Sequence, residues 1–471
     1  MSRPQARGRK TQARVLRTEA RALLRERWAT LPPSAQTVTQ LAGVAGVACG
    51  ATHGVLERCN FACTSCYLTE IANRVPPLPY AEVCAQLDQL RAALGPGAKT
   101  QITAGEVTLL PLEELGRIVA YAVDIGLDPM VMSNGERFLH EPDYLLRLVR
   151  DYGLGKVCIH VDITQRGRPG LTAQTRERDL HPLRDRFADL IRRVRRESRK
   201  PLHASHTVTV TPANLADIGD VVDWVLRNAD AFRMLSFQPI AEVGRTQDRR
   251  DEDVSAEALW ERICAPVGRR LHRHAMHFGH PECNTTVPIV VVATGAERQV
   301  FDVVRGGASG DAKTFGRALR TLGCAMDLDL PLWRNALPVA GALVRDPVLC
   351  GRLVAYGVRR LVSDRTTWTR SLFSALRGRP PRVRPVLLVV HRFMTAAELA
   401  TPLGQERLQA CVFKVPVDGE LVSMCELNAS GLRRSLNQRA LGQAQGRQIS
   451  GRQISGRQIP GRQISGRATA G

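Results

Sequence analysis

At 471 residues the chain exceeds the roughly 250–300 residues at which a single hydrophobic core stops growing, so one large domain with a smaller companion is expected. Hydrophobic residues make up 44% and charged residues 24%, a globular balance with no apolar run of about 18 residues that would span a bilayer. The net charge is +21, and so basic a surface suits peripheral contact with an anionic membrane; in an arginine-rich, lysine-poor chain most of that surplus is expected to be solvated surface, and nucleic acid is not an expected partner.

Residues 1–45 read as a basic N-terminal extension carrying +7 over its first thirty positions. It lacks the compact apolar stretch and small-residue cleavage site of a secretory signal, so a cytoplasmic location with reduced thiols is expected. From 46 to 284, β-branched runs alternate with helical stretches. The strand-like runs are "THGVLER", "KTQITAG", "PMVMSNG", "KVCIHVDIT", "SHTVTVTP" and "FRMLSFQP", giving six strand-then-helix units. In "PANLADIGDVVDWVLRNA" Asn214 is the expected N-cap, with Leu215, Ile218, Val221, Val222 and Val225 on one face. In "PLEELGRIVAYAVDIGL" Pro111 is expected in the first turn. Such units build a parallel sheet whose functional residues gather at the carboxyl ends of its strands. The region 285–437 is less regular and reads as a smaller C-terminal α+β domain. Residues 438–471 end in a "GRQIS" repeat, a basic low-complexity tail expected to be disordered.

"CNFACTSCY" places Cys59, Cys63 and Cys66 on one short loop, expected directly after the first strand. Thiolates are soft ligands for zinc or iron–sulfur clusters. A structural zinc site closes with four ligands, and no fourth cysteine or histidine lies inside the motif. Three thiols suit a 4Fe-4S cluster held at three corners with one iron open; a redox or zinc loop with distant ligands is the alternative.

With its CxxxCxxC loop, the chain resembles the radical S-adenosylmethionine (SAM) superfamily, and further motifs follow in order. "TAGEVTLLP" is similar to that family's GGE motif, with Ala104, Gly105 and Glu106 in its positions; the resemblance implies that Gly105 and Glu106 meet the methionyl amine of SAM. "MSNG" is similar to the motif that closes the third strand, implicating Ser133 and Asn134. Asp162 in "HVDIT" is implied as an acceptor for the ribose. The chain departs from the family at Ser65, where an aromatic residue commonly packs the adenine; Tyr67 or Phe61 stands in as the expected substitute. The implied fold is a partial (β/α)6 TIM-like barrel. His53 and His160 read as hydrogen-bonded core residues.

Beyond the core, "FQPIAEVGR", "GHPECN" and "CVFKVPVDGELVSMCELN" resemble a subgroup that includes archaeal tetraether lipid synthase. That resemblance implies an auxiliary, second 4Fe-4S cluster on Cys283, Cys411 and Cys425, with Cys324 and His280 as further options. Cys411 and Cys425 bracket a "DG" hairpin signal that would bring them together, although buried thiols also pack as small apolar residues. The synthase's extra N-terminal cysteine module is missing: only Cys49 precedes the loop. Cys84, Cys158, Cys264 and Cys350 are expected to pack.

The implied activity is reductive cleavage of SAM to methionine and a 5′-deoxyadenosyl radical that abstracts hydrogen from a substrate, with a lipid or hydrocarbon chain favoured and a flavodoxin or ferredoxin as electron donor. A radical enzyme acting on a peptide or RNA, and a non-catalytic iron–sulfur or zinc protein, are the other readings. The sequence singles out no catalytic side chain.

Overall fold

The computed structural model describes residues 18–248, 254–294, 297–306, 308–322, 336–378 and 380–455. Six strands, β1 (Cys49–Ala51), β2 (Lys99–Ile102), β3 (Asp128–Ser133), β4 (Lys156–His160), β5 (His203–Val210) and β6 (Phe232–Pro239), run parallel in chain order. Helices cover them between strands, including Tyr80–Leu94, Leu112–Asp124, Pro142–Arg150, His181–Ser198 and Ile218–Arg227. This is the partial (β/α)6 barrel. Helices cover the sheet, and β5 at its centre is near-continuously buried, at seven of its eight residues.

Two sequence expectations shift here. The run 52–58 is not a strand. β1 ends at Ala51, and Gly54, at φ +68, turns the chain so that its carbonyl accepts from Leu78 N at 2.9 Å. The cysteines therefore follow a seven-residue loop rather than a strand end. Asn214 does not cap a helix with its side chain; its Oδ1 accepts from Thr211 N and its Nδ2 donates to Glu177 Oε1 and Thr209 O. The expected inner face of that helix is buried at Ile218, Val221, Val222 and Val225.

The C-terminal segment has the expected α+β content, but its strands form no sheet of their own. β7 (Asn284–Thr294), β8 (Glu297–Asp302) and β9 (Arg382–His391) extend the sheet beyond β6, while β10 (Phe413–Val417) pairs parallel with β1 and carries β11 (Glu420–Ser423). The "DG" turn is as expected: Asp418 and Gly419 lie at φ +50 and +87, the paired left-handed residues of a type I′ hairpin. A helix over residues 18–30 leads into a packed segment, with Leu31, Ala35 and Ala42 buried against Ala410. The last described helix, Leu432–Ser455, runs across the boundary drawn at 437. Cys324 lies outside the described residues. Cys158 and Cys264 are buried as expected, whereas Cys350 is exposed.

Candidate radical SAM site

The cysteine loop crosses the carboxyl ends of the strands and is strapped from both sides by backbone. From the loop after β4, the carbonyls of Arg166 and Thr164 accept from Ala62 N at 2.8 Å and Thr64 N at 2.9 Å. From the segment after β6, Arg245 N donates to the carbonyls of Cys66 and Leu68 at 3.0 and 2.8 Å, and Gln247 N to Thr64 O at 2.6 Å. Thr246 Oγ1 accepts from Cys66 N at 3.0 Å. Gly244, at φ +60, lies so close that a Cβ there would stand 2.3 Å from the Tyr67 carbonyl. Only glycine meets both conditions.

The β2 end makes a third contact. Gly105 N and Glu106 N donate to the carbonyls of Leu56 and Arg58, each at 2.8 Å. A Cβ on Gly105 would come within 2.4 Å of the carbonyl oxygens of Glu57 and Arg58. The glycine of this motif is thus explained by backbone approach to the cysteine loop.

Glu106 is 2% exposed. Its Oε1 accepts from Ser133 Oγ at 2.8 Å, Thr108 Oγ1 at 2.5 Å and Thr108 N at 3.2 Å, and its Oε2 from Asn134 N at 2.6 Å. A carboxylate offers about two acceptor positions on each oxygen, so three donors fill Oε1 while Oε2, met by Asn134 N alone, keeps a position for a further donor. Burial pushes its pKa up against the pull of these donors. Asn134 Nδ2 in turn donates to Asn60 Oδ1 at 2.8 Å. Glu106 and Asn134 therefore tie β2, β3 and the cysteine loop into one network.

Asp162 is fully buried. It accepts from Thr164 N, Thr164 Oγ1 and Thr209 N at 2.9, 2.6 and 2.7 Å, and meets His160 Nε2 at 2.5 Å. Despite its burial, His160 and these donors hold it below the usual carboxylate range. The open ribose acceptor expected at Asp162 is absent, because its lone pairs are spent inside the protein. His160, with 27% of its side chain exposed, is what this strand end presents, and it is not the enclosed core residue its strand position suggested.

Around the thiols, Cys59, Cys66 and Tyr67 pack on Leu68, Ala72 and Ala104. Tyr67 Oη donates to Ala104 O at 2.9 Å, and the Arg433 guanidinium sits 4.9 Å from its ring centroid. Phe61 is buried with Arg168 at 4.8 Å over its ring, and Ser65 Oγ donates to Asp248 Oδ2 at 2.7 Å. Burial pushes the Cys59 thiol up to about 11. It pushes Cys63 well up too, aided by negative charge at Cys66, Asp162 and Cys59. Thiolates at Cys59 and Cys63 are therefore unfavourable unless a cation lies beside them, which the iron of a cluster would supply. Among the described residues no three His, Cys, Asp or Glu side chains surround a point that one metal ion could occupy. The ligands of a 4Fe-4S cluster need not converge on one point, since each thiolate binds a different iron.

Cys283 is distant in sequence from Cys411 and Cys425, yet the fold brings it within electrostatic reach of Cys411. The thiols of Cys283 and Cys425 are raised by burial, Cys425 to about 12, and each feels the charge of Cys411. Buried Arg407 donates from Nε to Cys283 Sγ at 3.1 Å. Met394 N donates to Cys425 Sγ at 3.4 Å and Phe413 N to Cys411 Sγ at 3.4 Å. His280 pairs instead with Glu406, at 3.5 Å. Sequence reading missed Arg407, and also Arg245, Arg168 and Arg433 around the first loop. An arginine in so arginine-rich a chain carries no local signal; only "GR" at 244–245 lay within a singled-out stretch.

No protein-family model matches the chain. It is 24% identical over 202 residues to the 7,8-dihydro-6-hydroxymethylpterin dimethyltransferase of Methanocaldococcus jannaschii, covering 41% of this chain and 37% of that protein. The chain thus spans little more than a third of this curated relative. Among solved structures, Streptococcus suis SuiB bound to S-adenosylmethionine superposes with a TM-score of 0.35 at 14% identity, over 47% of this chain and 48% of that one. For anSMEcpe with bound AdoMet the TM-score is 0.30 at 14% identity, over 41% and 51%. A half-barrel whose strand ends carry a three-cysteine loop strapped to a Gly–Glu turn is the architecture that the radical SAM motifs imply. The match to the pterin dimethyltransferase supports a place for the chain in that superfamily.

Proposed function

We propose that the chain is a radical SAM enzyme in which Cys59, Cys63 and Cys66 hold a 4Fe-4S cluster with one iron left for SAM. When bound, the cluster supplies one electron to SAM, whose carbon–sulfur bond breaks to give methionine and a 5′-deoxyadenosyl radical that takes hydrogen from the substrate. The carrying observation is that all four motifs form one hydrogen-bonded network. Asn134 joins Glu106 to Asn60 of the cysteine loop, and the loop after Asp162 holds Ala62 and Thr64. Glu106 and Asp162 act here as positioning residues: one fixes the Ser133–Asn134 turn, the other fixes His160 and Thr164. Gly105 and Gly244 keep the loop seated. Cys283, Cys411 and Cys425 hold a second 4Fe-4S cluster, with Arg407 offsetting thiolate charge.

The substrate in this reading is a lipid or hydrocarbon chain, supported by the subgroup resemblance of the 237–245, 279–284 and 411–428 segments. A flavodoxin or ferredoxin delivers the electron. The test is anaerobic reconstitution with dithionite and SAM: 5′-deoxyadenosine should form, and Cys63→Ala should abolish it. Reconstituted protein that binds iron yet never releases 5′-deoxyadenosine would overturn the proposal. Lipid profiling of a deletion strain tests the substrate class.

A further inference from the structure

Nine of the fourteen exposed large apolar side chains among the described residues fall between positions 344 and 376, on helices Ala336–Arg345, Pro347–Ser363 and Arg365–Leu376. The middle helix is apolar on two opposite sides. Leu349 is buried and Tyr356 donates to Val303 O at 2.9 Å, so one side faces the protein. At 100° per residue, Val354, Val358, Leu361 and Val362 fall on the opposite side with Val348 at its flank, and all are exposed. Val344, Phe373 and Leu376 on the flanking helices are 83%, 62% and 74% exposed. Soluble surfaces rarely leave such a contiguous apolar face uncovered.

The charge around it has one sign. Residues 344–384 contain ten arginines, no lysine and two acids, Asp346 and Asp364. Asp364 and Asp302 lie 3.1 and 3.5 Å from Arg360, Asp311 lies 3.2 Å from Arg359 and Asp346 lies 2.7 Å from Arg317, so these acids are held by three arginines and the balance of the stretch stays positive. We infer that helices 347–363 and 365–376 form a membrane-docking surface that lays its apolar side into an anionic phospholipid bilayer. An apolar stripe rimmed by arginine and carrying Trp368 and Phe373 has the composition of an interfacial helix. Among the described residues no helix is long and apolar enough to cross a membrane, so the contact lies in the interface plane. A second copy of the chain is the less fitting occupant, since like-charged rims would face each other. The surface stands whether or not the radical chemistry does.

Full-length protein is sedimented with unilamellar vesicles of phosphatidylcholine, with and without phosphatidylglycerol. It should pellet with the anionic vesicles, and the triple variant Val358→Glu, Leu361→Glu, Phe373→Glu should partition at least roughly tenfold less. Unchanged far-UV circular dichroism of the variant establishes that it folds. Independently, vesicles with brominated acyl chains should quench tryptophan fluorescence, and Trp368→Phe should remove most of that quenching. Failure of the wild type to pellet, equal binding by the triple variant, or a dimer by light scattering that the variant converts to monomer would each overturn the inference.

Discussion

Arg433 and Glu57 form a buried ion pair across almost the whole chain, with Nη1 at 2.8 and 3.1 Å from the two carboxylate oxygens and 376 positions between them. Glu57 lies two residues before the first cysteine, and its Oε1 also accepts from Gly54 N at 3.2 Å. The last helix therefore pins the base of the cysteine loop. Asn437 adds to this through Nδ2 to Thr69 Oγ1 at 2.8 Å.

Removing one partner of such a pair strands a buried charge. Arg433→Met should cost about 3–5 kcal/mol in urea unfolding, whereas Arg433→Met with Glu57→Gln should recover most of it. Iron retained by the core cluster should follow the same order. If the single variant unfolds like wild type, the clamp is absent.

This pair also marks where the sequence stops being legible. The six-unit parallel core, the inner face at Ile218, Val221, Val222 and Val225, and the "DG" hairpin are written in local periodicity and turn chemistry, and they stand. What local pattern cannot carry is which distant segment covers a site. β10 beside β1, Arg433 over Tyr67 and the 244–247 strap are all long-range choices. Strand propensity misplaced the first strand, because "THGVLER" has the right residues but Gly54 needs a left-handed turn. Motif resemblance singled out Glu106 and Asp162, yet only the geometry shows that protein donors meet both oxygens of Asp162 twice and leave Glu106 Oε2 with a single donor.

The two seating glycines carry a graded prediction. Gly244→Ala meets both a positive φ and the Tyr67 carbonyl at 2.3 Å, and Gly105→Ala meets two carbonyl oxygens at 2.4 Å. Each should cost roughly 2–3 kcal/mol and lower iron retention. Gly97→Ala, at φ +73 with nothing within 4 Å, should cost only about 1 kcal/mol and keep its iron. Equal effects at all three would mean that close approach to the loop adds nothing, and the seat would be refuted.

Acid should destabilise the fold before its carboxylates titrate. Burial holds His277 and His391 at about 4, against 6.5 when free, and Asn284 lies 3.1 Å from His391 Nδ1. Between pH 6.5 and 4 the unfolded chain takes up protons that the folded chain refuses, so stability falls as pH falls through that window. Each histidine should withdraw about 1 kcal/mol by pH 5.5. Urea midpoints measured across the window should slope downward towards acid, and His391→Gln should flatten the slope; a curve unchanged by that substitution would place the titration elsewhere.

The second cysteine group makes its prediction through Arg407. Burial raises the Cys283 thiol, while the guanidinium donating to its sulfur pulls it back down. Removing that charge must raise the thiol further, so metal-free Arg407→Met should alkylate more slowly at Cys283 than wild type at any pH below the thiol's own pKa. Mass spectrometry of the labelled peptide reads the rate at Cys283 separately from the other cysteines. Arg407→Lys keeps the charge but loses the planar fork, which also donates to Arg392 O at 2.9 Å, so its rate should lie between the two. In reconstituted protein the iron bound beyond the first cluster should fall in the same order. Alkylation slowed without loss of that iron would leave Arg407 setting thiol acidity with no part in holding the metal.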